Sequence, residues 1–444
     1  MQTIRHFWPE LNDWLDRIPD PRHPALITYH KRFMVWWGLS LYLFQLGSRR
    51  QLDFDLDARG TCVLDNLNRL AQTQQTTRPV HDTLEYFLGG SRAAPYGDLG
   101  TQMVQRLIRM KALDAARLQS YFVVGLDATG HLSLRRPHCP HCLVTRHEHY
   151  TLYQHQVLEA KLFGPAGLVL SLASEFIDNS DLDPALTGEE RKQDCELKAL
   201  RRLLPALRRA YPQVRLCLAG DGLYACGPAL QLAKDHDCRY VFTFKEGRLP
   251  ALWCDFQGLL PLCPENTLER ALPGGGRQVY RWVNDLAYRD SDGRDWTFQA
   301  LQCHETVDGQ TTRFAWITDL KINDRTAVEV ATKGGRQRWH IENQGFNQQK
   351  NGGFNLEHVF STDPELLKAY YYLLQIAHMI LQVLAAGSLL RRLAADCQRT
   401  PGQLFGSLKN LARRLLECFR YFVLADYVFD AQQARRLRIS MDSS

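Results

Sequence analysis

Apolar residues recur at helical spacing over residues 1–117, with turn signals at Pro19-Asp20-Pro21, Gly89-Gly90 and Ala94-Pro95. The pattern predicts a helical N-terminal region. Its most apolar stretch, Phe33 to Gly47, holds about 15 residues including Ser40 and Gln45, short of the ~20 that cross a bilayer. It reads as a buried helix, and no membrane partner is expected. From Tyr121 the texture becomes that of strands: Tyr121–Leu126, His131–Leu134, Leu152–Leu162 and Leu168–Ile177 are rich in β-branched or aromatic residues. A helix from about Glu189 to Tyr211 follows, then a strand at Val214–Leu218, a helix after Gly227-Pro228 and a strand at Tyr240–Phe244.

Residues 246–313 carry many turns, among them Pro273-Gly274-Gly275-Gly276 and Asp308-Gly309, and short aromatic runs such as Val279-Tyr280-Arg281-Trp282. They predict a mostly β insertion. Beyond Arg313–Thr318 the helical pattern returns, breaks at Gly334-Gly335, and resumes from Arg336 to Lys350. The tail from Asp363 is helical and ends in basic pairs at Arg391-Arg392, Arg413-Arg414 and Arg435-Arg436. Five regions result: 1–117 helical, 118–245 the first part of an α/β core, 246–313 the β-rich insertion, 314–386 the second part of the core, and 387–444 helical and basic.

Composition narrows the class without naming a function. With 45% hydrophobic and 23% charged residues the chain is of the globular kind. Its net charge of +6 permits nucleic acid as a partner. The basic edges Ser48-Arg49-Arg50 and Thr77-Arg78-Pro79 suit either DNA contact or ordinary solvated helix ends. Twelve cysteines, many in apolar runs, read as reduced thiols of a cytoplasmic protein, and Met1–Phe7 has no signal-peptide character.

Candidate chemistry lies in three carboxylates. Asp127 follows the apolar run Phe122–Leu126 and Asp221 follows Leu216–Gly220, so each is expected at a strand end, where an open α/β sheet builds its site. Alone, either is equally a turn residue. Glu342 lies on the predicted helix four residues after Arg338, which also fits a simple surface ion pair. Together, two strand-end aspartates and a glutamate on a helix supply the hard oxygen ligands that a pair of divalent ions needs. Gln193-Asp194-Cys195-Glu196 has no firm chemical role; Glu196 either approaches the metals or is structural. His138-Cys139-Pro140-His141-Cys142, with His147 and His149 beyond, has a zinc-type CxxC pair. Its second pair of ligands is ambiguous; the ion that Cys139 and Cys142 would suit is a structural Zn²⁺.

The run Arg338-Trp339-His340-Ile341-Glu342-Asn343, with Phe346-Asn347 and Lys350 to His358, resembles bacterial insertion-sequence transposases of the DDE type. Gly220-Asp221-Gly222-Leu223-Tyr224 and Val124-Gly125-Leu126-Asp127-Ala128 match the family's other two blocks, and the resemblance covers about residues 30–390. Two positions depart: Gly335 stands where the family often has Tyr, and Gln349 stands where it has Lys, with Lys350 one position late. At 100° per residue Gln349 falls about 20° from Glu342 on the helix and Lys350 about 80°. The resemblance implies an α/β, RNase H-like catalytic core with a mostly β insertion, flanked by helical N- and C-terminal segments. It further implies Asp127, Asp221 and Glu342 as catalytic metal ligands, Mg²⁺ or substituting Mn²⁺, and in-line attack on DNA at transposon ends followed by strand transfer. The expected partner is double-stranded DNA, both terminal inverted repeats and target, bound by a homodimer in the bacterial cytoplasm at the nucleoid. Arg338, Lys350 and Lys245 are candidate phosphate contacts, and Trp253, Trp282 or Trp296 could stack on a base or lie in the core. Two other classes fit the same residues: an RNase H-like nuclease or resolvase without strand transfer, and an inactive DNA-end-binding relic.

Overall fold

A computed structural model of the protein describes residues 1–180, 192–290, 292–424 and 437–439. Ten strands among them form one mixed sheet: β1 (Phe122–Leu134), β2 (Leu143–Arg146), β3 (Thr151–Phe163), β4 (Val169–Ile177), β5 (Leu216–Gly220), β6 (Arg239–Thr243), β7 (Thr267–Ala271), β8 (Arg277–Arg289), β9 (Asp295–Val307) and β10 (Gln310–Thr318). The order is β2-β3-β1-β5-β6-β10-β9-β8-β7, with β4 also paired to β3. β1, β3 and β4 run antiparallel, whereas β1, β5 and β6 are parallel. The protein is therefore mixed α/β.

One sequence expectation changes at once. The strands expected at Tyr121–Leu126 and His131–Leu134 are one: β1 runs on through Ala128-Thr129-Gly130, with a bulge between Gly130 and Leu132. The equally long β3 offers partners along the whole stretch, including Asp127↔Glu159 and Ala128↔Leu158. Continuous ladder bonds outweigh the local turn preference of those residues. Asp127 accordingly lies inside a strand, not at its end.

The segment 246–313 begins with a helix, Pro250–Leu259, before β7 to β9. Asp308 and Gly309, both at positive φ, close the β9–β10 hairpin in the way an Asp-Gly turn does. β10 then pairs with β6, so these strands extend the same sheet.

Strand alternation sorts the two faces of the sheet. Val124, Leu126, Leu216 and Leu218 belong to a core that includes Leu200, Leu203, Leu204 and Leu207 of the helix Glu196–Ala210. Val123, Cys217, Ala219 and Val241 belong to a second core with Val330, Ile341 and Phe346. The expected helix start near Glu189 lies outside the described residues, as do Arg435 and Arg436. In the N-terminal region the apolar helix Lys31–Leu43 is buried almost throughout, as a helix apolar on every side must be. Among the described residues, the helix long and apolar enough to span a membrane is Pro364–Ala386, not the stretch from Phe33; 78% of its apolar window is buried inside the protein.

The second core is roofed by a helical run over 327–351 in which α turns alternate with π turns at Val330–Gly334 and Ile341–Asn347. The break expected at Gly334-Gly335 is a distortion, with Gly334 at φ −93°, ψ −89° and a 3₁₀ turn at Gly335–Gln337. A Cβ on Gly335 would lie 2.0 Å from the Trp316 indole. This contact explains why glycine, and no tyrosine, stands there.

Candidate active site

Two neighbouring parallel strands carry the two aspartates. β1 pairs with β5 from Phe122↔Leu216 to Gly125↔Ala219; Asp127 lies two residues beyond that last pair on β1, and Asp221 is the residue after β5 ends at Gly220. On β1, Asp127 follows the alternation that puts Val123 in the core roofed by the helical run. Ile341 anchors that run in the second core, and Glu342 follows it, half exposed, with Arg338 Nη1 2.5 Å from its Oε1.

Electrostatics ties these groups and one more into a single field. The Asp127 carboxyl is pushed up to about 7, by burial first and then by the negative charges of Glu196 and Glu342; Arg338 and the Ala128 N–H act in the opposite direction. Glu196, the first residue of its helix, is also pushed up by burial. The Tyr224 hydroxyl, donating to its Oε2 at 3.1 Å, opposes that shift, and the Asp221 charge adds to it. Tyr224 stays protonated, held up by burial and by the carboxylates of Glu196, Asp127 and Asp221. Its ring lies on Gly220, where a Cβ would come within 2.5 Å. The glycine before Asp221 is thus required by close approach. Asp221 Oδ1 accepts from the Leu223 N–H at 2.8 Å, which fixes its rotamer on an exposed turn.

Glu196 and Tyr224 are the site residues that motif reasoning did not assign. The signal for Glu196 lay in the unexplained Gln193–Glu196 block; that for Tyr224 lay in the run from Gly220. Arg248 is a further neighbour, its stem resting where a Cβ of Gly222 would be 3.4 Å away. Of the cations expected to touch DNA, Arg338 is engaged with Glu342, Lys350 pairs with Glu357 at 2.7 Å, and Lys245 is exposed. Trp253 and Trp282 are buried and present no free face for a base; Trp296 is partly buried and donates to Asp290 at 2.9 Å. Trp339, 46% exposed and stacked on His340, is the aromatic beside Glu342.

Gln349 and Glu342 do not share a face of the helical run. Gln349 is fully buried and bonds to Gln375 and His378, while Glu342 faces solvent. The π turn between them bonds i to i+5 and advances each residue by less than 100°. By position 349 the phase has slipped to the opposite face.

The three carboxylates do not close on one point. Among the described residues, the group of three or more metal-binding side chains whose ligand atoms all lie within 4.8 Å is His138, Cys139, Cys142 and His155.

A pH dependence follows for the cation-free protein. Asp127 titrates above its ordinary value, so its protonated form stabilises the fold; that contribution is lost as pH rises from about 4 through about 7. Without divalent ions the melting temperature of the wild-type chain relative to Asp127→Asn should therefore fall between pH 5 and pH 8, the buried His131 and His378 acting equally in both. Mg²⁺ should raise it more at pH 8 than at pH 5, because protons compete for the same oxygens. Asp127→Asn should flatten the pH dependence of the Mg²⁺ effect. Equal Mg²⁺ effects at the two pH values, unchanged in the variant, would contradict this account.

No protein-family model matches the chain, and no curated protein matches it.

Proposed function

We propose that the protein is a DNA transposase of the DDE type, built on an RNase H-like core. The observation that carries this is the acidic field that joins Asp127 to Glu342 and Glu196, and Glu196 in turn to Asp221, at the ends of the β1–β5 pairing. The strand arrangement β4-β3-β1-β5-β6, an antiparallel meander followed by two parallel strands, supports it.

The donor set suits Mg²⁺ or Mn²⁺: Asp127, Asp221 and Glu342, with Glu196 close by, are all hard oxygen ligands without thiolate or imidazole. When bound, such ions activate the attacking oxygen and stabilise the leaving one. Asp127 and Asp221 would hold them from adjacent strands, and Glu342 from the roof. Tyr224 orients Glu196 through its hydroxyl. Arg248 and Lys245 would place positive charge along the rim, where DNA phosphates would lie, and Arg338 would do so to the extent that Glu342 turns to a metal ion. Lys350, neutralised by Glu357, is the weaker candidate. The partners of this reading are the element's terminal repeats and target DNA, bound by a homodimer in the bacterial cytoplasm. Joining of a DNA 3′-hydroxyl end to target DNA tests it, since a nuclease or resolvase on the same core cleaves without joining and a relic does neither.

A further inference from the structure

Four soft ligands meet at the far end of the β1–β3 hairpin. Cys139 Sγ lies 3.0 Å from His155 Nε2 and 3.5 Å from Cys142 Sγ, and Cys142 Sγ lies 3.5 Å from His138 Nε2. All four ligand atoms fall within 4.8 Å of one another. Zn–S bonds of about 2.3 Å and Zn–N bonds of about 2.0–2.1 Å define a tetrahedron with edges of roughly 3.3–3.8 Å. The observed separations are close to those edges, and the sulfur–sulfur distance is far beyond the ~2.05 Å of a disulfide. Three ligands come from the His138–Cys142 turn. The fourth, His155, comes from β3; His147 and His149 are exposed and outside the cluster.

We propose that His138, Cys139, Cys142 and His155 bind one structural zinc ion that organises the segment delivering Glu196 to the acidic site. Two thiolates and two imidazoles favour zinc over Mg²⁺ or Ca²⁺, and four protein ligands leave no open position for catalysis. An outer partner is in place as well. His155 Nδ1, on the side of the ring away from Cys139, lies 3.8 Å from the buried Asp178 Oδ2, the carboxylate–histidine arrangement that orients metal-bound imidazoles.

The ion's reach runs through Asn179, next to Asp178. Its amide donates to the Cys142 carbonyl at 2.8 Å, its N–H donates to the His141 carbonyl at 2.8 Å, and its Oδ1 accepts from the Asp194 N–H at 3.2 Å. Gln193 clasps Val144, accepting from its N–H at 2.6 Å and donating to its carbonyl at 2.9 Å. Asp194 grips Arg202 of the following helix at 2.6 Å. Glu196 then opens that helix. Fixing the Cys139–Cys142 turn therefore fixes the strip 193–195, and with it the approach of Glu196; Glu196 touches no ligand of the zinc.

The full-length protein, expressed with zinc in the medium, should carry about one zinc per chain by elemental analysis. Exchange for Co²⁺ should give the thiolate charge-transfer and tetrahedral visible bands of a two-sulfur site. Cys139→Ser and His155→Ala should each lose the metal, whereas His147→Ala should keep it. Zinc removal from the wild-type chain should speed amide exchange at residues 142–146 and 193–196. The cobalt spectrum and exchange rates are read on the wild-type chain, so a misfolded variant does not decide the matter. Absence of zinc from the wild-type protein, a Cys139–Cys142 disulfide in protein prepared under reducing conditions, or full metal content in both ligand variants would overturn the proposal.

Discussion

Asp127→Asn is expected to reduce cleavage of the element's ends on the order of 10³-fold or more, the scale on which a catalytic unit feels the loss of one member. End binding in a gel shift should stay within about twofold, because phosphate contacts come from cations along the rim and not from this carboxylate. The substitution preserves shape and the acceptor for the Ala128 N–H. It also removes a group that burial and the charges of Glu196 and Glu342 already push towards protonation. The variant should therefore be folded and no less stable than the parent without metal. That separates a chemical defect from a folding one. Full cleavage by the variant would remove Asp127 from the site, and loss of binding in parallel with cleavage would mean that the carboxylate serves structure instead.

Lys161→Met should destabilise the fold by about 3–5 kcal/mol, the cost of stranding one member of a buried ion pair. Lys161 and Glu159 are both fully buried, with Nζ 3.6 Å from the carboxylate. Burial pushes the Lys161 ammonium down, and Glu159 pulls it back up. Ser171 at 2.6 Å, Tyr371 at 2.7 Å and Ser174 also donate to Glu159, but these neutral hydroxyls leave the charge uncompensated once the lysine is gone. Lys161 also donates to Gln375 at 3.0 Å and lies 5.3 Å from the Phe346 ring, so it braces the helical run that carries Glu342. The shift in urea midpoint checks the size of the effect. Adding Glu159→Gln to the lysine variant should recover part of the loss, since the pair is coupled. A single-variant change below about 1 kcal/mol would show that the hydroxyls alone satisfy Glu159.

What could be read from the chain depended on whether a signal was local. Asp127 and Asp221 stood out because each follows an apolar run, and those runs are β1 and β5. That the two runs pair side by side in parallel could not be seen, because pairing is set across the sheet. Ala128-Thr129-Gly130 has the composition of a turn, and only the length of β3 makes it strand. The phase of Gln349 against Glu342 was computed for an ideal α-helix, which a π turn invalidates. His155 was missed as a zinc-type ligand because it sits among strand residues, its distance from the CxxC pair in sequence cancelled by the hairpin. Glu196 was visible as a residue but not as a neighbour, since its approach depends on the clasp of Gln193 and Asn179. The strands of 246–313 were legible from their turns, whereas their fusion to the main sheet through β10 is a tertiary fact.

The central claim is strand transfer by a carboxylate site. Its most direct test mixes the wild-type protein, a DNA duplex bearing the element's end with a free 3′-hydroxyl, and a supercoiled target plasmid. The reaction is run with Mg²⁺ and again without it, zinc content being held constant. The account predicts covalent joining of the 3′ end to the plasmid with Mg²⁺ or Mn²⁺, and none in its absence or with Asp221→Asn. Joining that persists in the absence of Mg²⁺ and Mn²⁺ would contradict the carboxylate site, and cleavage without joining under every condition would contradict the transposase.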